Sequence, residues 1–67
     1  MLPVEFEFSG VKFLVVLDRL EAMVILPVVR EESTKLLNCK TAILSLIREE
    51  LGKEVKGARF YEAIRDS

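Results

Sequence analysis

Cys39 is the only thiol in the 67-residue sequence, and Lys35 and Lys40 stand close enough along the chain to favour its thiolate. Leu36 and Ile43 share its helical spacing, however, which suits a small core hydrophobe better than a nucleophile. Glu31-Glu32 and Glu49-Glu50 are acidic pairs. Neighbouring helical residues point about 100° apart, so neither pair converges as an acid-base dyad must. The sequence has no histidine, which removes the commonest general base near neutral pH and the imidazole of most structural zinc sites. It also has no glycine-rich phosphate loop, no paired-cysteine metal site and no acidic triplet with calcium-loop spacing. The expectation is a protein without catalytic residues, metal ligands or a cofactor.

Binding chemistry is better represented. Lys53, Lys56, Arg59 and Arg65 gather near the C-terminal end with Tyr61, the only tyrosine. Cations there could contact phosphates, and an exposed tyrosine beside arginines makes an interface anchor. If two helices flank Gly52, the region resembles a helix-turn-helix, although Arg48 occupies a position where that motif prefers a small residue. Phe6, Phe8 and Phe13 could stack on bases from a sheet face. Their neighbours Glu5 and Glu7 are acidic, so core packing is the better reading.

These residues must be placed by a very small fold. A 67-residue domain hides only about 60% of the surface its unfolded chain exposes, so one domain, 1–67, is the expectation. The composition is 51% hydrophobic with a mean hydropathy of +0.30, and Gly 3 and Pro 2 are the only breakers, which excludes disorder. A core of this size supplies only about 3 to 5 kcal/mol, and small domains add disulfides, metals or oligomerisation. With one cysteine and no histidine, oligomerisation is the device left. Ten basic and eleven acidic residues give a net charge of -1, so nothing draws the whole molecule to nucleic acid or anionic lipid. Asp18, Arg19 and Glu21 interrupt the most apolar stretch, Val11 to Val29, so no membrane span is expected. The lone thiol and the lack of a signal-peptide pattern fit a cytoplasmic location.

Val4-Glu5-Phe6-Glu7-Phe8 alternates strictly between apolar and acidic residues, the period of a strand with one buried face. Ser9-Gly10 suits a two-residue hairpin turn into Val11 to Leu17. That register sets Phe8 against Val11, Glu7 against Lys12, Phe6 against Phe13 and Val4 against Val15. The opposite face carries Glu5, Glu7 and Lys12 near the turn but Leu14 and Val16 further along. Asp18 to Glu21 reads as a connection, and Ala22 to Leu26 as a third strand that is apolar on both faces. Pro27 lacks a backbone donor, which places this strand at an edge or puts a bulge there, before Val28-Val29. Helical spacing then runs from Ser33 or Thr34, the expected caps, to Leu51, with Gly52 as the stop. A second, shorter helix is expected over Ala58 to Arg65, with Phe60, Ala63 and Ile64 inward.

The fold class expected is therefore α+β: a three-stranded antiparallel β-meander followed by two helices packed on one face (β-β-β-α-α). An apolar strand at an edge is an aggregation hazard unless covered, which points to self-association through Met23, Val24, Ile25, Leu26 and Val28, or through the wide face of the long helix. The function expected is a small non-enzymatic interaction or regulatory module that homodimerises and binds or inhibits a protein partner. The alternative is a nucleic-acid-binding regulator whose C-terminal helical hairpin uses Lys53, Lys56, Arg59, Tyr61 and Arg65.

Overall fold

A computed structural model describes residues 2–63. In chain order the elements are β1 (Val4–Phe8), β2 (Val11–Asp18), β3 (Glu21–Ile25), α1 (Arg30–Leu37), α2 (Lys40–Leu51) and β4 (Gly57–Tyr61). The α+β class agrees with the sequence reading, but the element order is β-β-β-α-α-β. The four strands form one sheet in the order β1-β2-β3-β4, with β1-β2 and β2-β3 antiparallel and β3-β4 parallel.

The first hairpin has the register expected from its residues: Phe8 faces Val11, Glu7 faces Lys12, Phe6 faces Phe13 and Val4 faces Val15. Ser9 and Gly10 both take positive φ, 54° and 78°, as a turn matched to the twist of the strands requires. The Phe6 and Phe13 rings stack across the pair at 5.9 Å. A second two-residue turn joins β2 to β3, with Arg19 at φ 57°.

Four expectations are corrected. The third strand is not an edge, because β2 and β4 pair with it on either side. Pro27 lies two residues beyond it and costs the ladder nothing. The single long helix is two helices: Cys39, at φ -127° and ψ 35°, leaves helical geometry and ends the apolar stripe's continuity in space. Neither Ser33 nor Thr34 is a cap. Val29 stands at that position without a side-chain hydrogen bond, and the buried Ser33 hydroxyl donates to the Pro27 carbonyl from inside α1.

The fourth correction concerns the C-terminal end. Over residues Ala58 to Tyr61 the expected second helix is replaced by β4, while Ile64 and Arg65 lie outside the described residues. Gly52 does stop α2, in the left-handed region at φ 59°, with its N–H donating to the Arg48 carbonyl. Arg48 Nε then donates to the Val55 carbonyl at 2.7 Å, and the Lys56 N–H to the Leu20 carbonyl at 2.7 Å. Those two bonds lead the chain back alongside β3, and the pairing reaches its end where the Leu26 N–H donates to the Tyr61 carbonyl at 2.9 Å.

The core lies between one sheet face and the helices. Phe6, Val11, Phe13, Val15, Ala22, Val24 and Leu26 meet Leu36, Ile43, Ile47 and Val55 in one buried cluster, with Ala58 and Phe60 of β4 packed against it.

Candidate interaction surface

Side chains alternate across a strand, so the residues between the core positions form the second face of the sheet. The pairing sets Glu5, Leu14, Ile25 and Tyr61 in one row, Val16, Met23 and Arg59 in the next, and Asp18, Glu21 and Gly57 in a third. Glu7 and Lys12 close the other end. Five apolar or aromatic side chains, Leu14, Val16, Met23, Ile25 and Tyr61, make a continuous centre. Leu14 and Tyr61 are each 40% exposed, and the other three are half-buried by one another and their neighbours.

Charge surrounds that centre in balance. Glu5, Glu7, Asp18 and Glu21 are matched by Lys12, Arg19, Lys56 and Arg59. At one end, Met23, Arg59 and Tyr61 line a hollow of about 390 Å³ together with Arg19, Lys56 and Glu21. Arg59 Nε stands 3.5 Å from Glu21 Oε2, with both side chains more than half exposed. A pair that exposed orients the two groups while contributing little stability. At the opposite end, Leu14, Ile25 and Val28 border a smaller hollow of about 280 Å³.

Of the expected self-association residues, Met23 and Ile25 lie on this face and Val28 is 69% exposed just past it. Val24 and Leu26 are 0% and 1% exposed within the protomer's own core, so their side chains are spent on the fold. Of the expected basic contacts, Lys56, Arg59 and Tyr61 converge in the larger hollow. Lys53 lies elsewhere, at a hollow between Val15, Leu17 and Leu51 on the core side, and Arg65 falls outside the described residues. No helical hairpin carries them, since β4 follows α2. Arg19 completes the cation group, and a residue-by-residue reading missed it because its turn neighbours β4 only through the parallel crossover.

Phe6 and Phe13 are buried under the helices and Phe8 is half-buried, so none of the three presents a ring to the open face. Cys39 is half-buried at the start of α2. Glu31, Glu49 and Glu50 are exposed, and Glu32 is half-buried. Among the described residues no three acidic or cysteine side chains converge on a point that could hold a metal ion. Among the same residues no helix is long and apolar enough to cross a membrane. Lys40 Nζ lies 5.5 Å from the centre of the Phe60 ring, tying the first turn of α2 to β4.

No protein-family model, no curated protein and no solved structure matches the chain.

Proposed function

We propose that the protein is a small non-enzymatic interaction module that pairs with a second copy of itself and binds a protein partner on the open face of its sheet. The observation that carries this reading is the one-sided coverage of the sheet. The core under the helices buries Val15 and Val24, while their neighbours Leu14, Val16, Met23 and Ile25, with Tyr61 opposite Ile25, form an apolar centre that no element covers among the described residues. Interfaces that bind proteins combine an apolar, aromatic centre with a charged rim, and this face has both. Its planar extent, four strands at about 4.8 Å by five residues at about 3.4 Å, is roughly 300 Å².

Nucleic-acid binding ranks second. The gathering of Arg19, Lys56, Arg59 and Tyr61 in one hollow favours it, but Asp18 and Glu21 line the same hollow and Arg59 already faces Glu21. A phosphate backbone needs a surplus of cations, and this surface is close to neutral.

The test compares capture by three immobilised proteins: the wild type, a Leu14→Lys/Ile25→Lys double variant of the open face, and a Thr41→Lys variant on the exposed side of α2. A partner retained by wild type and Thr41→Lys but lost by the double variant is the expected result. Identical capture by all three would remove the open face from the account.

A further inference from the structure

We propose that β4 is the strand through which two copies join, edge to edge and antiparallel, with Phe60 of each copy meeting at the two-fold axis; this rests on the reading that the chain self-associates. The result is one continuous sheet of eight strands, twice the four of the protomer. The open face stays free for a partner and doubles in width.

The backbone decides which groups are on offer. Within a strand the N–H and C=O of one residue point to the same edge, and those of the next residue to the other. The Tyr61 carbonyl accepts from Leu26, so Tyr61, Arg59 and Gly57 turn their backbone groups towards β3. Ala58 and Phe60 therefore turn theirs outward, as Glu62 would if the strand continued, and among the described residues no strand takes them. An unpaired edge of this kind is a template for another strand.

The sheet has two edges, and their residues separate them. In a two-fold antiparallel pairing the outward residues of one strand meet the outward residues of its copy, so odd positions always face odd and even always face even. Along β1 the registers centred on Glu5, Phe6 or Glu7, which overlap most of the strand, set glutamate against glutamate: Glu5 against Glu5, Glu5 against Glu7, or Glu7 against Glu7. Like charges directly opposite oppose pairing. Along β4 the register centred on Phe60 sets Phe60 against Phe60, Ala58 against Glu62 and Arg59 against Tyr61. Arginine opposite tyrosine is an attractive pair, on the open face and beside the axis. Centring on Arg59 instead would oppose two arginines. An isologous pairing through β4 also closes on itself, whereas joining β4 to the acidic β1 of another copy would continue without limit.

The test is amide hydrogen exchange by NMR on the full chain over a concentration series, with sedimentation equilibrium on the same samples. Arg59 and Tyr61 amides should be protected at every concentration, because β3 holds them. Protection of Ala58 and Phe60 amides should rise at least tenfold as dimer forms. Ala58→Pro deletes an outward N–H and spares the bonds to β3, so it should weaken the dimer at least tenfold, while Ile25→Lys leaves it unchanged. A dimer in which Ala58 and Phe60 amides still exchange freely would overturn the edge pairing and leave self-association standing. So would a dimer lost in Ile25→Lys, or assemblies that grow beyond two copies. A monomer at all concentrations would overturn the self-association reading itself.

Discussion

Arg48 Nε donates to the Val55 carbonyl oxygen at 2.7 Å, joining the last turn of α2 to the segment that re-enters the sheet. Val55 is 1% exposed, so its carbonyl lies at the margin of the core with one charged donor to satisfy it. The contact fixes where the chain turns after Gly52 and so sets β4 beside β3. It also explains why a bulky arginine stands where a helical hairpin would want a small residue.

Removing that donor should be costly. Hydrogen bonds to charged groups contribute about 1.5 to 3 kcal/mol, and Arg48→Ala should lower stability by about 1 to 2 kcal/mol in urea unfolding. The exchange of β4 amides should rise more than that of the β1-β2 hairpin. A variant as stable as wild type would show that Val55 holds its place without Arg48.

The two sheet faces should respond differently to truncation. Ile47 is fully buried, and Ile→Ala in a core costs about 2 to 5 kcal/mol, so Ile47→Ala should leave the domain largely unfolded by circular dichroism. Leu14 is 40% exposed on the open face. Leu14→Ala should shift stability by less than about 1 kcal/mol. Equal losses at the two positions would mean that the open face is covered within the protomer.

The start of α1 can be improved. Val29 occupies the N-cap with no side-chain hydrogen bond and is 50% exposed. Serine there would accept from the N–H groups of the first turn, and Val29→Ser should raise stability by about 0.5 to 1 kcal/mol in thermal unfolding. A loss instead would show that Val29 contributes apolar contacts worth more than a cap.

Nucleic-acid binding has its own signature. A phosphate-contacting surface loses affinity steeply as salt rises. Fluorescence anisotropy with single- and double-stranded oligonucleotides at low and moderate salt should detect no complex, because Asp18 and Glu21 offset Arg19, Lys56 and Arg59. A salt-sensitive complex weakened by Arg59→Ala would promote the second reading to the first.

Local features of the fold could be read from the residues. The hairpin of β1 and β2 was legible to the register, since alternation, turn and cross-strand charge all agree within a short stretch. The helical content was legible too, but its break was not, because the apolar spacing runs on through Asn38 and Cys39 while the backbone turns there. β4 was hidden for a different reason. Phe60, Ala63 and Ile64 fit a helical stripe as well as Gly57 to Tyr61 fit a short strand, and what decides is a parallel pairing with β3, far back in the sequence. The same distance concealed Arg19 from the cation group at Lys56 and Arg59. Leu14 and Val16 signalled an apolar second face; that the chain leaves it uncovered became visible only once the helices were placed.

Whether two copies pair is read from sedimentation equilibrium of the wild-type chain over a wide concentration range. The mass should rise from one copy towards two and stop there. A single copy at every concentration would contradict it.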